Sequence, residues 1–292
     1  MTSESPSTPS AAPGERAHVE GFYSRHPISA EHILHQAAER RGGLAGLRAD
    51  DLFAFDQDHY GGLEAVDALA TAAGVGPGSR VLDVCAGLAG PARYLAARYG
   101  ASVCCVELNP DRSRGAALLI RQVGLEGSVT VVRADAMRMP LAAASFDVVV
   151  SQEALLHVPD KVQVIAEAAR VLAPGGAIAF TDWVENVPMQ AAERNLMWRG
   201  MAAQNLQTVD GYRGALLAHG FEAVSVDDLT DWWGPILEQR FAMYVRLGAE
   251  ADAAGHPAGD DAFYDSYRLL VALVKARSLG GARFVARKKK NR

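Results

Sequence analysis

Val81-Leu82-Asp83-Val84-Cys85-Ala86-Gly87-Leu88-Ala89-Gly90-Pro91 is the stretch on which the fold turns. It reads as a short apolar strand, a glycine-containing turn and the start of a helix. Such a turn lets a ligand lie against bare backbone, because glycine has no Cβ to hold it off, and Gly87 is placed to make that contact. The same letters also describe an ordinary strand-to-helix turn, so the flanking sequence has to decide.

The flanks repeat the rhythm. Apolar runs at residues 80–84, 102–106, 129–133, 146–151 and 177–182 alternate with amphipathic stretches at 91–99, 110–123 and 160–172. That alternation predicts a mainly parallel sheet with crossover helices, which takes ligands at the carboxyl ends of its strands. Pro-Gly punctuation at 76–78 and 174–176 marks turns entering the first and fifth strands. Residues 1–14 read as a disordered tail without the basic start or apolar core of a secretory signal. Residues 15–78 read as a helical cap, with helical patterns at 28–41 and 48–55 interrupted by Gly42, Gly43 and Gly46. Residues 79–292 form the main domain. Past Asp182 the pattern predicts helices at 189–204 and 209–219, a strand at 221–227 and a last strand at 282–287. Between those two strands, residues 228–281 are too long for an ordinary loop and read as an inserted helical lid, with helices at 235–253 and 261–277.

Composition narrows the class. The 292 residues are 49% apolar and 22% charged, which rules out wholesale disorder, and no apolar run approaches the ~20 residues of a membrane span. With 29 basic and 34 acidic residues the net charge is −5, so no basic field gathers nucleic acid. Cys104 and Cys105 are adjacent inside an apolar run, which suits reduced thiols and a cytoplasmic location. No His, Cys, Asp or Glu cluster has metal-ligand spacing. The partner expected is a small-molecule acceptor.

Two further strand ends carry carboxylates. In Val106-Glu107-Leu108-Asn109-Pro110, Glu107 stands at the tip of the neighbouring strand, where it can accept two ribose hydroxyls. In Arg133-Ala134-Asp135-Ala136-Met137, Asp135 and the adjacent N–H groups can read an adenine edge, or Asp135 can simply cap a turn. Glu107 alone fits NAD and other adenosine ligands equally, whereas an NAD reading leaves Asp135 and Pro174-Gly175-Gly176 unexplained.

The series VLDVCAGLAG, CVELNP, RADAM, FDVVVSQEALLHV and VLAPGGAIAFTDW, spanning about residues 80–183, resembles the class I S-adenosylmethionine-dependent methyltransferases motif by motif. The family's Asp-x-Gly-x-Gly-x-Gly appears as Asp83-x-Cys85-x-Gly87-x-Ala89, with Gly90 one place late. Within the family the chain looks most like glycine, sarcosine and dimethylglycine N-methyltransferases. Phosphoethanolamine and sugar O-methyltransferases stand further off. This finer likeness rests on Asp56-Gln57-Asp58-His59-Tyr60-Gly61-Gly62, on Gly90-Pro91-Ala92-Arg93-Tyr94-Leu95, and on Ser151-Gln152-Glu153 with His157. The resemblance implies an α/β, Rossmann-like, mainly parallel sheet of seven strands with the last antiparallel. It also implies S-adenosyl-L-methionine as cofactor, held by Asp83, Ala86, Gly87, Glu107, Leu108, Asp135, Ala136 and Gln152.

Methyl transfer from a sulfonium is a direct displacement, so the protein's work is to align the reactants and shield them. Gln152 is placed to hold the cofactor's amino acid end. Glu153 either binds an amine substrate or faces solvent. His157 is a candidate general base, or a packed or turn-capping histidine. From the cap, Tyr23 and Tyr60 are catalytic candidates beside His26 and His59, against the plainer reading that isolated aromatics belong to the core. Trp183, Trp198, Trp232 and Trp233 wall a substrate pocket or pack the lid. Arg194 and Arg199 clamp a carboxylate or face solvent, and the basic end 287–292 is a solvated terminus or a weak anion site. The first functional reading is methylation of a small metabolite at nitrogen, with oxygen or carbon acceptors as the alternative. An NAD-dependent oxidoreductase and a non-catalytic S-adenosylmethionine-binding protein are the readings from other classes.

Overall fold

The computed structural model describes residues 13–24, 28–203, 205–253 and 261–290. Seven strands, β1 (Arg80–Val84), β2 (Ser102–Glu107), β3 (Val129–Arg133), β4 (Phe146–Gln152), β5 (Leu172–Glu185), β6 (Phe221–Asp228) and β7 (Leu279–Lys288), form one sheet in the order β3-β2-β1-β4-β5-β7-β6. The first five pair in parallel, and β7 runs antiparallel to both β5 and β6. The strand order reverses between β1 and β4, which opens a crevice at their carboxyl ends.

Alternation along each strand explains why both faces are covered. Val81, Val103, Val148, Val150, Ala177 and Ala179 point into one apolar layer. Leu82, Val84, Val106, Val149, Ile178 and Phe180 point into the other. The helices around the sheet are α1 (Pro13–Ser24), α2 (Ala30–Arg41), α3 (Ala49–Leu52), α4 (Gly62–Ala73), α5 (Gly90–Tyr99), α6 (Pro110–Gln122), α7 (Lys161–Val171), α8 (Ala191–Met201), α9 (Val209–Ala218), α10 (Thr230–Ala253) and α11 (Asp261–Lys275). Side-chain caps fix several starts: Asn109 accepts from the N–H groups of Asp111 and Arg112, Asp160 from Gln163, and Thr208 from Gly211. No helix among the described residues is long and apolar enough to cross a membrane.

The structure departs from the sequence pattern in particular places. β5 begins at Leu172 and runs through Pro174-Gly175-Gly176 without the turn expected there. Phe146 pairs with Leu172 but Val148 with Ala177, so the extra β5 residues bulge out of the ladder. α10 begins at Thr230, not at Pro235, because the Asp228 carboxylate accepts the Thr230 N–H at 2.8 Å and starts the helix earlier. The expected tail lies outside the described residues except for Pro13 and Gly14, which open α1.

α1 lies across the crevice. Asn109 Nδ2 donates to the Glu20 carbonyl (3.0 Å), Ser24 Oγ to Asp111 Oδ2 (2.9 Å), and the His18 ring packs on Trp198 of α8 at 4.3 Å. On the other side, α8, α10 and α11 share an apolar cluster containing Tyr60, Trp183, Met197, Trp233, Leu237 and Leu270.

Candidate active site

The turn after β1 is built from left-handed residues, with φ of 59° at Cys85, 57° at Gly87 and 59° at Ala89. Two of these are not glycine, so the turn keeps the shape of a glycine-rich loop at a steric cost of about 1–2 kcal/mol per L-residue. Its N–H groups are anchored: Ala86 donates to the Val106 carbonyl at 3.1 Å and Gly87 to Glu107 Oε2 at 2.8 Å. A Cβ at Gly87 would meet no atom within 4 Å, so its bare backbone faces open space. Gly90 serves another purpose. A Cβ there would overlap the Asp56 carbonyl, so this glycine lets the cap segment dock against α5.

A buried ion pair secures that docking. Arg93 and Asp56 are both fully buried and meet at 2.8 Å, and Arg93 also donates to the Leu88 carbonyl at 2.6 Å. From Asp56 a polar chain runs back to the sheet. Gln57 Nε2 donates to Asp56 Oδ1 (2.6 Å), the His59 Nε2–H to Gln57 Oε1 (3.0 Å), and Gln152 Nε2 to His59 Nδ1 (3.3 Å). Burial pushes His59 down to about 4, which keeps its imidazole neutral and suited to both roles.

One cavity of about 240 Å³ opens at the carboxyl ends of β1, β2 and β4. Tyr23, Tyr60, Asp83, Ala86, Gly87, Glu107, Leu108, Asp135, Ala136, Gln152, Glu153 and His157, the cofactor-binding and catalytic candidates, all line it. Glu107 accepts from Gly87 and, through Oε1, from the Asn109 N–H at 2.7 Å, so its carboxylate braces the turn while its remaining lone pairs face the cavity. Asp135 accepts from the Met137 N–H at 2.8 Å; one oxygen caps its turn. Burial raises Glu107 and pushes Asp83 up to about 7, with the Glu107 charge adding to the latter. Asp83 Oδ2 is buried without a hydrogen-bond partner.

Glu153 does not face open solvent. With φ of 50°, it turns back so that both carboxylate oxygens accept from the Tyr60 N–H, at 3.0 and 2.9 Å, and burial pushes its pKa well up. His157, in a 3-10 turn at Leu155–His157, is gripped from two sides. Its Nδ1–H donates to the Ala202 carbonyl at 3.0 Å, and its Nε2 accepts from the Tyr23 hydroxyl at 2.7 Å. Burial raises the Tyr23 pKa, so the phenol keeps its proton.

Of the tryptophans, Trp183 lines the cavity. Trp198 packs on His18, Trp232 lies over Gly61, and Trp233 is core. Arg194 turns outward to the Met189 carbonyl and Glu185, and Arg199 also stands outside the cavity lining. His26 lies outside the described residues. Sequence reading did not find Arg112, Arg240, Tyr244 and Tyr267, which line the same cavity. They sit on amphipathic helices, where pattern alone marks arginine as solvated and tyrosine as core.

An adenosyl sulfonium fits this cavity. The lining is rich in carboxylates, Asp83 Oδ2 lacks a donor, and Gly87 leaves room for close approach. Comparison with known proteins agrees. Residues 82–180 match the methyltransferase domain family. The chain is 29% identical to methyltransferase GfsG of Streptomyces halstedii, over 81% of this chain and 94% of that protein. It is 35% identical to sarcosine/dimethylglycine N-methyltransferase of Halorhodospira halochloris, over 53% of this chain and 56% of that protein. A crystal structure of a putative sarcosine dimethylglycine methyltransferase from Galdieria sulphuraria superposes with a TM-score of 0.71 at 23% identity, covering 79% of this chain and 86% of that one. Residues 82–180 are thus a methyltransferase domain, and the sheet is that of the class I S-adenosylmethionine-dependent methyltransferases. The protein is an enzyme of small-molecule methylation, and its cofactor is S-adenosylmethionine.

Proposed function

We propose that this enzyme methylates a nitrogen of a small metabolite, with Tyr23 and His157 as the proton-accepting pair. The observation that carries the reading is the 2.7 Å contact between the Tyr23 hydroxyl and His157 Nε2 at the cavity wall. Bound S-adenosylmethionine supplies an electrophilic methyl group on a sulfonium. The chain supplies position and proton handling. Glu107 and Asp135 hold the adenosine, Asp83 and Gln152 the amino acid end, and Ala86, Gly87, Leu108 and Ala136 shape the cleft.

The Ala202 carbonyl fixes the proton of His157 on Nδ1, which leaves Nε2 as the basic nitrogen. A nucleophile that hydrogen-bonds the Tyr23 oxygen can pass it a proton while the phenol proton moves to Nε2. Glu153, rotated inward beside Tyr60, faces the same space and can accept a hydrogen bond from a neutral amine. The likeness to a sarcosine/dimethylglycine N-methyltransferase supports nitrogen as the acceptor atom; the same proton-accepting pair would also serve a hydroxyl.

The test is a screen of small amines, phenols and sugars for S-adenosylhomocysteine release. Amines are expected to turn over, and turnover by hydroxyl acceptors alone would reject nitrogen. Tyr23→Phe and His157→Gln are each expected to lower kcat by about 100-fold with cofactor affinity little changed. A wild-type pH–rate profile in His157→Gln would remove the histidine from proton transfer.

A further inference from the structure

Arg240 carries its charge into the cavity from α10, in the lid between β6 and β7. Its guanidinium stands 4.4 Å from the centre of the Tyr60 ring and donates to the carbonyls of Asp58 and His59, both at 3.2 Å. These are its hydrogen-bond partners among the described residues, and it forms no ion pair with a carboxylate there. Asp58 and Glu153 act on this guanidinium through space without a contact ion pair, and its five N–H donors in a planar fork exceed what two carbonyls use. Around it, the ring of Tyr267 packs against Tyr244 at 5.2 Å and against Phe263 at 5.0 Å. Both tyrosines line the cavity. Glu153 reaches the other side of the same segment, at the Tyr60 N–H.

We propose that Arg240, with the hydroxyls of Tyr244 and Tyr267, forms an anion subsite that selects acceptors bearing a carboxylate. The subsite rests on the methyl-transfer reading above and adds the acceptor's charge to it. An acceptor carboxylate neutralises the guanidinium, and the planar fork orients it through two parallel hydrogen bonds. The acceptor's nucleophilic end is then left to Tyr23, His157 and Glu153.

The experiment uses the full chain saturated with S-adenosylhomocysteine and two matched probe pairs, sarcosine with sarcosinamide and 4-hydroxyphenylacetate with its carboxamide. Calorimetric titration is expected to show each carboxylate bound about tenfold or more tightly than its amide. Arg240→Gln is expected to erase that preference with cofactor affinity retained, and Arg240→Lys to restore part of it. Should Arg240→Gln not fold, Tyr267→Phe, which removes one hydroxyl and keeps the ring, is expected to reduce the preference severalfold. Equal binding of acid and amide by the wild-type protein would overturn the proposal. So would equal weakening of both by Arg240→Gln, or no binding of either carboxylate at millimolar concentration. Methylation of the phenol acid but not of sarcosine would uphold the subsite and fail the nitrogen assignment.

Discussion

Asp83 is held in the cleft floor with one oxygen unpartnered and its pKa pushed up to about 7, first by burial and then by Glu107. Between about pH 4 and 7 the folded protein therefore keeps a proton that the unfolded chain has released. Stability of the cofactor-free protein falls as pH rises through that window. Asp83→Asn removes the slope, and its melting temperature above pH 7 is expected to exceed wild type by roughly 3 °C or more, with weaker S-adenosylmethionine binding. A thermal melt at pH 5 and pH 8 with a parallel titration checks both; unchanged pH dependence would show that this carboxylate is not the strained group. Asp83, Glu107 and Asp135 were legible in sequence because each ends a strand whose neighbours are fixed by the sheet. Arg240 was not, because its meaning depends on which way α10 is laid down.

At the scale of elements, the turn between β1 and α5 carries two separate demands. Cys85 and Ala89 take left-handed backbone that glycine adopts without steric cost, whereas Gly87 leaves its Cβ position empty. Cys85→Gly is expected to stabilise the protein by roughly 0.5–1 kcal/mol and to leave cofactor affinity intact. Gly87→Ala should cost about 1 kcal/mol of stability but weaken cofactor binding far more, since its methyl projects into the cleft. Chemical denaturation and calorimetry of both variants separate the two demands, and equal cofactor affinity in Gly87→Ala would show that nothing approaches that backbone. The sequence departures from glycine at Cys85 and Ala89 thus alter the energy of the turn and not its shape. The fifth strand was less legible: Pro174-Gly175-Gly176 has turn composition, yet the pairs with β4 on either side, Leu172 with Phe146 and Ala177 with Val148, hold that segment in the strand as a bulge.

At the scale of the whole molecule, the cap and the lid meet over the crevice. Tyr60 stacks on Trp233 at 5.3 Å, and Trp233 packs on Trp183 at 4.9 Å. Trp233 seats on β7 where Gly281 has no side chain, and a Cβ there would overlap the indole. Gly281→Ala is expected to cost about 1–3 kcal/mol of stability and to raise the acceptor KM, with cofactor affinity unchanged. Steady-state kinetics beside a cofactor titration decide this. Loss of cofactor binding in step with acceptor binding would mean that the lid supports the entire cleft and not the acceptor end alone.

Periodicity and turn chemistry along the chain determined the parallel sheet, its crossover helices, and the three carboxylates at the tips of adjacent strands, because each depends on residues close in sequence. The pairing of Tyr23 with His157, the inward turn of Glu153 and the entry of Arg240 came only with the tertiary structure. Those contacts join residues from the cap, the sheet and the lid, and no local pattern records which faces three separately folded elements present to one another once they pack.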